Sequence, residues 1–197
     1  MQKNSNLFWV DLEMTGLGDD QVIVEIASLI TDADLNVLAE GPEIAIHRTP
    51  EEMARMEEWP AKQHKKSGLL NRIDASRIDV KEAEAQTLKF LKKWAPAGKA
   101  LLCGNSIWVD RRFLHKEMPT LEKYLHYRMI DVSSIKELVD RWYPETLRPP
   151  DKKGAHLAMN DAKESVQELR WYRENVFVDA PEDGNDQDAD LSRRKGG

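Results

Sequence analysis

Hydrophobic and polar positions in this chain follow a strand-like rhythm at first and a helical one later. Residues 6–10 (NLFWV) are apolar and β-forming, and residues 22–31 (VIVEIASLIT) are almost continuously apolar, as buried strands are. Residues 37–47 alternate loosely enough for a third strand. Gly18-Asp19-Asp20-Gln21 and residues 32–36 read as turns between these runs, so the first part of the chain predicts an antiparallel meander. From Thr49 the period changes. Thr49-Pro50-Glu51-Glu52 supplies an N-cap, a proline at the first helical position and acids in the first turn. Residues 53–67 form a helical or irregular cap segment, and Gly68-Leu69-Leu70 leads into a short element. Residues 79–94 predict an amphipathic helix with Ala85, Leu88, Leu91 and Ala95 on its apolar stripe.

Residues 100–103 read as a fourth, buried strand, broken by Gly104-Asn105-Ser106. A helix begins near Asp110, with Phe113, Leu114, Glu117 and Met118 at helical spacing, and a short fifth strand falls within residues 125–131. Val132, Ile135, Leu138, Val139 and Trp142 mark one face of the next helix. After an irregular stretch over 144–154, the last helix runs from about His156 to Val176 with Ala162, Val166, Leu169 and Tyr172 on its stripe. A meander followed by strands alternating with helices predicts an α/β chain, with one mixed five-stranded sheet flanked by helices.

Composition narrows the picture. At 197 residues, 41% hydrophobic and 32% charged, the chain reads as one domain over residues 1–178. Residues 179–197 are rich in Asp, Pro and Gly without apolar periodicity and predict a disordered acidic tail. No run approaches the ~18 apolar residues of a membrane helix. The first strand follows Asn6 almost at once, which leaves no room for a signal or transit peptide and makes a cytoplasmic protein the expectation. Cys103 is the only cysteine, excluding an intramolecular disulfide and a cysteine-rich zinc site. The net charge of −6, half of it in the tail with its six acids and three bases, argues against a protein that tracks long polyanions.

Against this background a few acids are out of place. Asp11 and Glu13, two residues apart at the end of the first strand, share a face of the sheet. Alone, the pair reads first as a solvated strand end; on a central strand it calls for a cation between the carboxylates. Gly16 just beyond lets backbone approach that face. Asp110 and Asp131 each have a helix-capping reading, and a lone histidine such as His156 is by default a surface or core residue. Together, Asp11, Glu13, Asp110 and Asp161 are four carboxylates without thiolates, a set that suits a hard ion such as Mg²⁺ or Mn²⁺. Two such ions ~3.5–4 Å apart are what in-line phosphoryl displacement by water requires.

Four blocks carry a family resemblance over about residues 7–177: WVDLEMTGL (9–17), GNSI..DRRFL (104–114), HYRMIDVSSIKEL (126–138) and H.AMNDAKESV.EL (156–169). On these the chain resembles the oligoribonuclease family, in the histidine branch of the DEDD superfamily of 3′→5′ exonucleases. The resemblance implies a ribonuclease H-like fold and hydrolysis of RNA fragments of a few nucleotides, dinucleotides above all, to 5′ mononucleotides. It implies that Asp11, Glu13, Asp110 and Asp161 hold two divalent ions, Mg²⁺ or Mn²⁺, and that His156 is the general base. Position 157 is Leu rather than the Tyr of the sister branch.

By the same resemblance Leu17 wedges against the bases, and Trp59 and His64 lie in the matching cap segment. Ser106, Arg128 and Ser133 match positions that close on the 5′ phosphate, and Tyr127 matches an aromatic that stacks on a base. Tyr127 and Arg128 are implied to reach the site of a neighbouring subunit, in a homodimer. Trp108 departs from the pattern, where a smaller or polar side chain is expected. It either reshapes the phosphate end or packs beneath it. Two other readings stay open: an exonuclease of the superfamily with longer substrates, and a non-catalytic RNA- or metal-binding protein on the same fold.

Overall fold

In the computed structural model, which describes residues 3–150 and 157–178, five strands form one sheet. They are β1 (Leu7–Met14), β2 (Ile23–Thr31), β3 (Val37–Ala45), β4 (Leu101–Gly104) and β5 (Met129–Asp131), in the spatial order β3-β2-β1-β4-β5. The first three make the expected antiparallel meander, and β4 and β5 add in parallel on the other side. β1 is therefore central. The edge strand β3 carries Glu40, Pro42 and Glu43, residues that discourage further pairing.

Helices cover both faces. α4 (Val80–Trp94), α5 (Ile107–Glu117) and α6 (Pro119–Tyr124) pack on Phe8, Val10 and Leu12, the even-numbered side of β1. α7 (Val132–Trp142) and α8 (Ala158–Asn175) pack on Leu7 and Trp9, the odd-numbered side, which is also the side of Asp11 and Glu13. Trp9 is fully buried there and its indole N–H donates to Thr31 Oγ1 at 3.0 Å, satisfying the one polar atom that its burial carries. The short helices α1 (Pro50–Met53), α2 (Glu58–Ser67) and α3 (Leu69–Ala75) form the cap segment, with α1 opened by a capping box between Thr49 and Glu52.

Three expectations shift. α5 starts at Ile107, so Asp110 sits in its first turn instead of leading it. The cause is Ser106, whose left-handed backbone (φ 48°, ψ 32°) turns the chain directly from β4 into the helix. On α4 the buried positions are Ala83, Thr87, Leu88 and Leu91, while Ala85 is exposed; at 3.6 residues per turn it lies about 120° from Leu91. The fifth strand shrinks to three residues, and the chain before it forms α6, with Pro119 at its start and Leu121 buried. Gly104 closes β4 against β1, since a Cβ there would meet the Val10 carbonyl oxygen at 2.9 Å. His156 and the tail expected to be disordered lie outside the described residues. No described helix is long and apolar enough to cross a membrane.

Candidate active site

β1 brings its two acids to the sheet's odd-numbered face just as the pairing with β2 shifts register, between Glu13 and Met14. α8 crosses the same face and contributes Asp161 from its first turn. One carboxylate oxygen from each of Asp11, Glu13 and Asp161 lies within 4.8 Å of the other two. All three side chains are half-buried. Three acids this close, with oxygen donors only, are a donor set for a hard divalent cation.

Asp110 stands beside this group without belonging to the 4.8 Å cluster. It is buried, and its Oδ1 accepts from the backbone N–H of Leu12, the residue between Asp11 and Glu13, at 3.0 Å. The first turn of α5 is thereby tied to the strand that carries the other two acids.

Electrostatics reflect the crowding. Burial, followed by the charges of Asp161, Glu25 and Asp110, pushes Glu13 up to about 8, against a smaller opposing pull from Arg72. Burial also lifts Asp110 to about 7, although the backbone N–H groups of Leu12 and of Asp110 itself hold it down. A cation among these oxygens would reverse the balance and keep the carboxylates ionised.

Behind Glu13 lies a residue that the sequence reading passed over. Glu25 is its direct cross-strand partner on β2 and is completely buried. Arg72 of α3 donates to Glu25 Oε1 and reaches Glu43 at 3.2 Å. The backbone N–H of Ala158, at the start of α8, lies close enough to Glu25 to favour its charged form. Burial raises the Glu25 carboxyl, and Arg72 and the Ala158 N–H offset that. Glu25 thus ties the cap segment, through Arg72, to the strand beside Glu13. A lone Glu within an otherwise apolar strand was the available signal.

His64 is buried against the cluster. Its Nε2 lies 2.9 Å from the Met14 carbonyl, and its Nδ1 faces Glu13 Oε2 at 3.7 Å, beyond hydrogen-bond range. Burial lowers its pKa, so the ring is neutral at pH 7, with Nε2–H donating to Met14.

The remaining site candidates stand on the surface around the acids. Leu17, Trp59 and Tyr127 are 59%, 64% and 71% exposed. Trp108 is also exposed. α5 clamps the loops that carry two of these residues: Arg112 donates to the Leu17 carbonyl, and Lys116 to those of Asp19 and Gln21 at 2.6 and 2.9 Å. On the other side of the helix Arg111 pairs with Glu122 at 2.8 Å and donates to the His126 and Tyr127 carbonyls at 3.1 and 2.9 Å. The Arg128 guanidinium lies 5.2 Å from the Tyr127 ring centre. Ser106 and Ser133 meet at the β4 and β5 ends, where the Ser106 N–H donates to Ser133 Oγ and to Asp131 Oδ1, both at 2.9 Å. Asp131 also caps α7 through the Ser133 N–H, as its capping reading predicts. A separate cavity of about 900 Å³, between α7 and the far side of α8 near Lys136, Asp140 and Trp171, holds none of the three clustered acids.

A family model described as an exonuclease matches residues 8–169. The chain is 56% identical over 174 residues to the oligoribonuclease of Escherichia coli (strain K12), covering 88% of this chain and 96% of that one. To the oligoribonuclease of Vibrio vulnificus (strain CMCP6) it is 54% identical over 175 residues, covering 88% and 97%. Among solved structures it is similar in fold to E. coli exonuclease I in complex with a dA16 oligonucleotide, with a TM-score of 0.67 at 13% identity over 87% of this chain. An apo exonuclease I structure gives a TM-score of 0.66, also at 13% identity, over 89% of this chain. The chain spans 41% and 43% of the length of those two structures.

Proposed function

Because the chain belongs to the oligoribonuclease family of exonucleases, and is a 3′→5′ exoribonuclease, we propose that its substrates are RNA fragments of a few nucleotides, dinucleotides above all, which it hydrolyses to 5′ mononucleotides. The observation that carries this reading is the identity of 52–56% to oligoribonucleases over nearly their whole length, combined with the clustered acids on β1 and α8.

In this reading Asp11, Glu13, Asp110 and Asp161 hold two divalent ions, Mg²⁺ or Mn²⁺. The donor chemistry fits, since the oxygens crowd together and their charges repel unless a cation intervenes. When bound, the ions supply an activated water and offset the negative charge gathering on the phosphate. His156, five residues before Asp161 in the chain, accepts the proton of the attacking water. Leu17 and Trp59 meet the bases; their exposure leaves them available for it. His64, buried and neutral, supports the substrate from behind Glu13. Ser106, Ser133 and Arg128 close on the 5′ phosphate, Arg128 offering a two-pronged contact. Arg128 reaches that phosphate from a second copy in a homodimer, and Tyr127 of the same copy stacks on a base, a role open to a tyrosine that stands free of its own chain's core. The enzyme acts in the cytoplasm, with residues 1–178 as the catalytic domain.

A mildly acidic chain gains little from many phosphate contacts, which favours short substrates over long ones. The test compares turnover of a dinucleotide with that of a ~20-mer, lengths chosen to separate few from many phosphate contacts. Preference for the dinucleotide is expected; equal or faster degradation of the long strand would return the reading to a longer-substrate exonuclease. His156→Ala, in parallel, is expected to retain metal while losing about 10²–10⁴ in kcat, and a retained rate would move the base elsewhere.

A further inference from the structure

Asn105 lies between two regions that the proposed reaction uses separately. Its Oδ1 accepts from Ser133 Oγ at 3.1 Å, and Ser133 Oγ accepts from the Ser106 N–H at 2.9 Å. On the opposite side its Nδ2 donates to Ser165 Oγ at 2.8 Å and to Glu168 Oε2 at 3.0 Å. Ser165 Oγ donates in turn to the backbone carbonyl of Asp161 at 2.9 Å. Ser165 and Glu168 are buried. An unbroken hydrogen-bonded line therefore runs from the Ser106–Ser133 pair to the peptide of a clustered acid.

The line has one direction. Nδ2 faces Glu168 Oε2 and Ser165 Oγ, and an amide oxygen in its place could not donate to either, so the NH₂ group of Asn105 points that way and Oδ1 faces Ser133. Ser133 has a single hydroxyl proton. Directed at that oxygen, it leaves the lone pairs of Ser133 for the Ser106 N–H. Ser106 also needs holding. Its left-handed backbone, at φ 48°, is unfavourable for a residue with a Cβ and persists only while its surroundings enforce it.

We infer that Asn105 is a positioning residue that keeps the 5′-end contacts of Ser106 and Ser133 in register with the turn of α8 that carries Asp161. The inference rests on the reading that Ser106, Ser133 and Arg128 close on the 5′ phosphate. In a dinucleotide the 5′ phosphate and the scissile phosphate are one nucleotide apart, so a small error at one end displaces the other. Misplacement of about 1 Å is enough to cost ~10²-fold in rate in well-aligned sites.

The experiment measures kcat/KM for a 5′-phosphorylated and a 5′-hydroxyl dinucleotide with the wild type, Asn105→Ala, Ser165→Ala and Glu168→Gln. The wild type should prefer the phosphorylated substrate. Asn105→Ala should lower kcat/KM on that substrate about tenfold, the worth of one charge-assisted hydrogen bond, and on the 5′-hydroxyl substrate by less than about twofold. Ser165→Ala should move the ratio the same way by a smaller factor, and it carries the test if Asn105→Ala does not fold. Glu168→Gln keeps an oxygen facing Nδ2 and should preserve the ratio. A parallel fall on both substrates, or an unchanged ratio, in a wild type that does prefer the phosphate would overturn the role of Asn105 alone. A wild type indifferent to the 5′ phosphate would overturn the reading of the 5′ end, and the inference with it.

Discussion

Asp11, Glu13 and Asp161 are held by a central strand and an 18-residue helix that the core grips, whereas Leu17, Trp59 and Tyr127 stand on loops and a short helix around them, each more than half exposed. The acids are positioned by burial. Strand β1 is packed on both faces, and α8 lies across it with eight residues buried, so their geometry is part of the fold itself. The exposed loop residues depend on tethers: Arg111, Arg112 and Lys116 of α5 hold the backbone of the two loops by their carbonyls. One helix thus serves both regions, because Asp110 in its first turn is bonded to Leu12. Rigidity is concentrated where charge must be held, and adaptable surface is kept where a flexible ligand would arrive.

The contrast can be broken most severely at the acids. Asp11→Asn should reduce turnover by more than about 10³, since an electrostatic contribution of several kcal/mol goes with its ion. With chelator present, however, the variant should melt no lower than the wild type, because a carboxylate crowded by two other acids has been replaced by a neutral amide. A large drop in melting temperature without metal would mean that Asp11 supports the fold rather than an ion.

Arg72→Ala tests the anchor behind the cluster. It strands the fully buried Glu25, and breaking a buried pair costs about 3–5 kcal/mol; the 37% exposure of the Arg72 side chain brings the expected loss to about 2–3 kcal/mol by denaturant unfolding. Pairing it with Glu25→Gln should recover part of that loss. No recovery would show that Arg72 acts elsewhere.

Tyr127→Ala addresses the exposed side. A lost base stack is worth about 1–3 kcal/mol, so KM for a dinucleotide should rise about tenfold while the melting temperature of the protomer stays within a degree or so. A fall in kcat with KM unchanged would contradict a role in holding the base. Trp108→Ala, at an exposed position with no core contact, is the smallest change: less than about 0.5 kcal/mol in stability is expected from unfolding curves.

What could be read directly from the chain was whatever short-range periodicity controls. The apolar runs in 6–10 and 22–31 and the turns that follow them specify a meander, and the two-residue spacing of Asp11 and Glu13 puts both on one face wherever that strand goes. The four conspicuous acids could be singled out for the same reason: charge in or beside an apolar run must be explained. Tertiary structure alone decided which carboxylates converge. Asp161 enters the cluster and Asp110 stands beside it, bonded to a peptide N–H, because α8 crosses the face of β1 while α5 runs from the end of its parallel neighbour β4. Glu25, Arg72, Asn105 and the clamping residues of α5 could not be ranked from sequence, since their importance comes from partners 11 to 97 positions away. Periodicity is a property of neighbours along the chain. Desolvation and like-charge crowding, which raise Glu13 and bury Glu25, are set by neighbours in space.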